Sequence, residues 1–207
     1  MHFYRETLPK GTQTVLDIIK QIPDIQKFYL TGGTALSLQL GHRESEDLDF
    51  FTEADFQPQI LQQKLSSLGS LEDITITDGT LNCFFQGVKL QFLHYPYALL
   101  EDLIEWNEIY LSSIIDIACT KLVTISMRGS KKDFIDLYMI LQKNSLEVVF
   151  AKLDEKYQKV QYNAPHILKS LLYFADADQQ PMPRMHRSLA WDEVKNFITK
   201  EVKDFTF

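Results

Sequence analysis

The stretch from residue 28 to residue 52 reads Phe-Tyr-Leu-Thr-Gly-Gly-Thr-Ala-Leu-Ser-Leu-Gln-Leu-Gly-His-Arg-Glu-Ser-Glu-Asp-Leu-Asp-Phe-Phe-Thr, and it leaves the chain few ways to fold. Phe28 to Leu30 is an apolar, aromatic run suited to a buried strand, and Gly32-Gly33 interrupts it where the backbone must turn tightly. From Thr34 to Leu40 the spacing is helical. A helix that starts directly after the glycines aims its first unbonded N–H groups and its positive dipole end at whatever lies over the turn, and a phosphate fits there. By itself a Gly-Gly turn more often binds nothing.

The second strand adds chemistry. Successive side chains of an extended segment alternate, so Asp47, Asp49 and Phe51 share one face while Leu48 and Phe50 share the other. Two carboxylates side by side repel unless a counter-charge joins them. A hydrated magnesium ion supplies one, since it takes one or two carboxylates together with phosphate oxygens. The bland alternative is an edge strand with a wet acidic face. Three large apolar residues in Leu48, Phe50 and Phe51 favour the metal reading by setting the pair at the rim of a core.

At 207 residues the chain is long enough for a substantial core in one domain or two small ones, and 45% hydrophobic with 24% charged residues is ordinary for a globular protein. No apolar run approaches the ~20 residues of a membrane span, and the N-terminus lacks a signal-peptide layout, so the cytoplasm is the expected location and no membrane partner is expected. Cys83 and Cys119 lie far apart in apolar surroundings and read as buried reduced thiols. A net charge of −7 argues against broad coating of nucleic acid.

In chain order, Val15, Ile18, Ile19 and Ile22 predict an amphipathic helix over residues 12–22, and Pro58 opens another with Ile60, Leu61, Leu65 and Leu68 as its apolar stripe. Three strands are predicted over 73–77, 81–86 and 88–95, with Asp78-Gly79 and Gly87 as the turns between them. After Pro96 the pattern predicts helices. Residues 112–127 form a nearly all-apolar run with a capping box of Ser113 and Asp116, and Lys121 in its middle must reach an anion or snorkel to water. Ser130 is a natural N-cap for a helix carrying Asp133 and Asp136 in or near its first turn, where acids also simply complement the dipole. Helices are predicted over 145–158, 164–174 and 189–202, Asp176-Ala-Asp178 reads as a solvated loop or helix end, and Trp191 as a core anchor.

Three separated motifs in this order carry a resemblance: Gly32-Gly33-Thr34-Ala35-Leu36; His42-Arg43 with Ser45 and Asp47-Leu48-Asp49-Phe50-Phe51; and Lys121 with Arg128-Gly-Ser-Lys-Lys-Asp133-Phe-Ile-Asp136-Leu. The chain resembles the AbiEii/AbiGii toxin family of nucleotidyltransferases, within the polymerase-beta-like superfamily. That resemblance implies an α+β fold, a mixed sheet flanked by helices over residues 1–110 followed by a mainly helical C-terminal region over residues 111–207. It implies an enzyme that transfers a nucleoside monophosphate from a nucleoside triphosphate to an acceptor, RNA such as transfer RNA or a protein, using magnesium or manganese. It further implies the toxin half of a type IV toxin–antitoxin or abortive-infection system, with a winged-helix antitoxin as partner.

Residue by residue, the resemblance implies that Gly32, Gly33 and Thr34 hold the triphosphate and that Asp47 and Asp49 bind the metal. Lys121 would neutralise charge on the phosphates, and Asp133 would act as proton acceptor or as the group that orients Lys121. Arg43, Ser45 and Arg128 would contact the nucleotide. At one place the chain departs from the superfamily pattern: Gln91 occupies the position where a third carboxylate is expected. A glutamine coordinates weakly and takes no proton from a hydroxyl, so either another base serves or the scaffold is a non-catalytic nucleotide- or partner-binding module.

Overall fold

Strand β1 (Tyr29–Thr31) lies inside a seven-stranded mixed sheet because every residue in it is buried and needs a neighbour on each side. The computed structural model describes residues 2–206. One compact unit runs up to Ser113 and a second begins at Ile114.

In the first unit, α1 (Lys10–Ile19) precedes β1, and α2 (Gly32–Leu40) follows it without a linker. Then come β2 (Leu48–Thr52), α3 (Pro58–Ser66), β3 (Leu71–Thr77), β4 (Thr80–Phe85), β5 (Val88–His94), β6 (Ile104–Trp106) and β7 (Ile109–Leu111). The order across the sheet is β3-β4-β5-β2-β1-β7-β6. β2 runs antiparallel to β1 and parallel to β5, β1 runs parallel to β7, and the remaining pairs are antiparallel. Phe50 stacks on Phe92 at 5.2 Å, and Phe28 meets Phe92 edge-on at 5.3 Å, so one face of β2 and β5 is committed to the core. The other face carries Asp49, Phe51 and Gln91, all half-buried.

Several predicted elements need correction. The first helix stops at Ile19 rather than Ile22, since the residue before Pro23 is pushed out of helical geometry and a 3₁₀ turn, Pro23–Lys27, takes over. On α3 only Leu61 and Leu65 of the predicted stripe are buried; Ile60 and Leu68 are 45% and 39% exposed. The chain after Pro96 is not yet helical, because β6 and β7 form a hairpin around Asn107 and Glu108, both at positive φ without a glycine to announce the turn.

In the second unit, α4 (Ile114–Arg128) packs against α5 (Lys131–Leu141), α6 (Leu146–Lys156) and α7 (Ala164–Ser170). α8 (Ala175–Asp178) and α9 (Trp191–Asp204) rest on α5. Asp116, predicted as a capping acid, is buried and accepts from Lys156 Nζ at 2.6 Å. Asp176-Ala-Asp178 forms one helical turn, and Asp178 accepts from Trp191 Nε1 at 2.6 Å and pairs with Lys195. Trp191 is half-buried against Phe134 and Phe174. Cys83 and Cys119 are both free and buried; burial pushes the thiols up to about 11 and about 12 respectively. Among the described residues no helix is long and apolar enough to cross a membrane.

Candidate functional site

The glycine pair after β1 is required twice over. Gly32 has φ +67°, a left-handed conformation that disfavours a side chain, and a Cβ there would sit 2.6 Å from Asp49 Oδ2. A Cβ at Gly33 would sit 2.4 Å from Arg43 Nη2. The side-chain space at both glycines is therefore filled by one carboxylate and one guanidinium of the same chain. The helix cap residue, Thr31, makes no side-chain bond to the N–H groups that open α2.

The loop from α2 to β2 is braced from within. Gly41 ends α2 in a left-handed conformation with the Tyr4 ring where a Cβ would go. Arg43 is buried and its Nη1 donates to the Glu44 carbonyl at 2.8 Å. Thr34 Oγ1 shares a 2.9 Å hydrogen bond with Ser45 Oγ and donates to the Asp47 carbonyl. Thr34 and Ser45 are thus buried and fasten the helix start to the acidic strand. Their hydrogen bonds fix where Asp47 stands, one residue before β2 begins, with Asp49 two residues further along.

The resulting charge pattern is compact. A buried guanidinium and the positive end of α2 face the same glycines as the Asp49 carboxylate. A metal–triphosphate, an anion carrying its own cation, complements such a pattern. Two half-buried carboxylates fit a magnesium ion that draws its other ligands from water and phosphate, and among the described residues no group of three or more His, Cys, Asp or Glu side chains offers a complete protein cage. Asp49 also stands in register with Gln91 of β5, whose amide Nε2 donates to Asn82 Oδ1 at 2.9 Å. A cleft of about 350 Å³ lies elsewhere, lined by Asp24, Phe28, Phe56, Leu61 and Lys64 among others and by none of the residues at the glycine turn.

The second unit holds the other candidate residues. Lys121 Nζ, from the middle of α4, lies 2.8 Å from Asp133 Oδ1 and 2.5 Å from Asp136 Oδ2, with both carboxylates fully buried. Arg128 Nε reaches Asp133 Oδ2 at 3.3 Å, and the Ser130 hydroxyl donates to the same oxygen. Burial alone would raise the Asp133 carboxyl, but the Lys121 ammonium, the Ser130 hydroxyl and Arg128 outweigh it and hold it below its ordinary range. Ser130 does sit at the N-cap of α5, yet it gives its hydroxyl to this carboxylate instead of capping the helix. Asp133 and Asp136 thus both contact the Lys121 ammonium; the sequence marks Asp136 mainly as a dipole complement, although its i, i+3 spacing from Asp133 is the available signal.

Comparison with known proteins agrees with this architecture. The model of the nucleotidyl transferase AbiEii toxin family, of type IV toxin–antitoxin systems, matches residues 14–82 and 87–205. An uncharacterised protein of Aquifex aeolicus is 34% identical over 204 residues, covering 96% of this chain and 97% of that protein. MenT4, a nucleotidyltransferase toxin of Mycobacterium tuberculosis, superposes with a TM-score of 0.57 at 17% identity, covering 91% of this chain and 80% of that one. JHP933 of Helicobacter pylori superposes with a TM-score of 0.56 at 17% identity, covering 97% and 92%. At such identities these two structures speak for the fold alone.

Proposed function

The chain belongs to the AbiEii nucleotidyltransferase toxin family and is a nucleotidyltransferase, and on that footing we propose that residues 32–49 bind a metal–nucleoside triphosphate for transfer of the nucleoside monophosphate to an RNA or protein acceptor. The observation that carries this reading is the packing of the Asp49 carboxylate and the Arg43 guanidinium onto the two glycines that open α2. It gathers the charges for a metal–phosphate group in one braced place.

Asp47 and Asp49 would hold the magnesium ion, or manganese in its stead; once bound, the ion neutralises phosphate charge and aligns the oxygens for displacement. The chain's own part is positional. The N–H groups at residues 32–34 receive phosphate oxygens, Arg43 adds positive charge beneath the turn, and the Thr34–Ser45–Asp47 brace keeps the carboxylates in place. Within the second unit, Lys121 is proposed as a cation suited to phosphate charge, with Asp133 and Asp136 as its positioning residues and Arg128 as a more exposed contributor. The family supports a toxin role in a type IV toxin–antitoxin system; the cytoplasm as location and a co-encoded winged-helix antitoxin as partner are part of the proposal.

Incubating the protein with magnesium, each labelled triphosphate and total RNA or protein tests the reading. Label transfer that vanishes in Asp47→Asn and Asp49→Asn is expected; no transfer to any acceptor sinks the catalytic claim. Tight triphosphate binding without turnover would instead support the binding-module reading, which Gln91 favours.

A further inference from the structure

Gln91 is not merely a missing carboxylate. The register places Asp49 (β2), Gln91 (β5) and Asn82 (β4) in one row across three adjacent strands, on the sheet face left half-open. Residues paired across strands project to the same face. The glycine turn approaches Asp49 from the β1 side, since Thr31 pairs with Asp49 and the Gly32 side-chain space is taken by Asp49 Oδ2. Gln91 therefore flanks Asp49 on the side opposite the phosphate cradle.

Displacement at phosphorus is in line, with attack opposite the leaving group. If pyrophosphate leaves over the start of α2, the acceptor arrives from β5. We propose that the Gln91–Asn82 amide pair is the acceptor-positioning element of this enzyme: Asn82 Oδ1 takes the hydrogen bond from Gln91 Nε2, and so turns Gln91 Oε1 toward the row position of Asp49 to accept from the attacking hydroxyl. This rests on the nucleotidyl-transfer reading above. The hydroxyl oxygen forms the new bond to the α-phosphorus, the bond from that phosphorus to the bridging oxygen breaks, and pyrophosphate departs with its electron pair. The proton passes to bulk water, because neither amide takes it up. Gln91 orients a nucleophile here without acting as a base, and Asn82 is a positioning residue that acts through it.

The hydrogen bond needs only an acceptor atom on residue 82, and that makes the test specific. Asn82→Asp keeps the acceptor; Asn82→Leu removes it at similar volume. With labelled triphosphate and total RNA as the probe, Asn82→Leu lowers kcat for transfer roughly tenfold, the loss of about one hydrogen bond. Its affinity for a non-hydrolysable triphosphate analogue stays within twofold of the parent, while Asn82→Asp keeps at least half the parent kcat. Gln91→Glu adds an acid limb to the pH profile, because that position then titrates. The Gln91 side-chain NH₂ resonance, assigned by its loss in Gln91→Ala, stays protected from exchange in Asn82→Asp and loses protection in Asn82→Leu. Equal activity in Asn82→Leu and the parent, or equal loss in Asn82→Asp and Asn82→Leu, overturns the inference while leaving the transferase reading intact. A parent chain that binds triphosphate but transfers to nothing overturns both. Thermal melting of each variant separates a folding defect from these outcomes, and a resonance unmoved by Asn82→Leu overturns the inference even where that variant is too unstable to assay.

Discussion

Lys121→Met removes one ammonium from a cluster in which its side chain is 7% exposed and both carboxylate partners are fully buried. Methionine fills a similar volume, so the change isolates the charge. Two carboxylates that faced one cation at 2.8 and 2.5 Å then lose it, while Arg128, 62% exposed and 3.3 Å away, and the Ser130 hydroxyl still reach Asp133. Breaking a buried ionic cluster by deleting one partner costs about 3–5 kcal/mol. The pH dependence gives a sharper test. In the parent the Asp133 carboxyl sits below its ordinary value of 3.8, so its contribution is present above that value and is lost as pH falls through the lower, folded-state value. In Lys121→Met the buried carboxylate pair must take up a proton, so that chain gains stability relative to the parent as pH falls from 8 to 5. Urea unfolding in a Trp106→Phe background, followed by Trp191 fluorescence, reads from a probe within the helical unit. The gap between the two chains should be several kcal/mol at pH 8 and clearly smaller at pH 5. A gap under about 1 kcal/mol, typical of an exposed pair, or one that does not change with pH, refutes the account of this cluster.

Other outcomes follow from the same geometry. Gly32→Ala combines a left-handed backbone with a 2.6 Å clash on Asp49 Oδ2, and should cost about 1–3 kcal/mol in denaturant titration and weaken triphosphate binding with it. Ser45→Ala removes a buried hydrogen bond from the brace and should weaken triphosphate binding while costing about 0.5–1.5 kcal/mol of stability; calorimetry and denaturant titration measure the two halves. Cys83 and Cys119, protonated at pH 8 and buried, should ignore a thiol reagent in the native chain and react together on unfolding, as absorbance shows directly.

Much of the first unit was legible because its signals are local. Alternation across Asp47 to Phe51, a glycine pair after an apolar run and helical spacing behind it define β1, α2 and β2 within 25 residues of sequence. The β3-β4-β5 meander was equally plain from Asp78-Gly79 and Gly87. What stayed hidden depends on partners distant in the chain. β6 and β7 are three residues each, exist because β7 pairs with β1 and β6 with β7, and turn at Asn107-Glu108, where no glycine marks the left-handed backbone. Exposed Ile60 and Leu68 look like core in any helical count, and only the arrangement of neighbours leaves them outside. Thr34 and Ser45 carry hydroxyls suited to a phosphate, and only the fold reveals their mutual bond and the bond to the Asp47 carbonyl. Asp136 is indistinguishable from a dipole-complementing acid until Lys121, fifteen residues earlier on another helix, is found 2.5 Å away. Asn82 beside Gln91 is a matter of sheet register.

The central claim is that the glycine turn and the Asp47–Asp49 strand form a metal–triphosphate site. Calorimetric titration of a non-hydrolysable triphosphate analogue into the parent chain and into Asp49→Asn, each with magnesium and with chelator, tests it most directly. Binding by the parent that requires magnesium, and is lost both with chelator and in Asp49→Asn, is the predicted result; binding of equal strength in all conditions, or none in the parent, contradicts it.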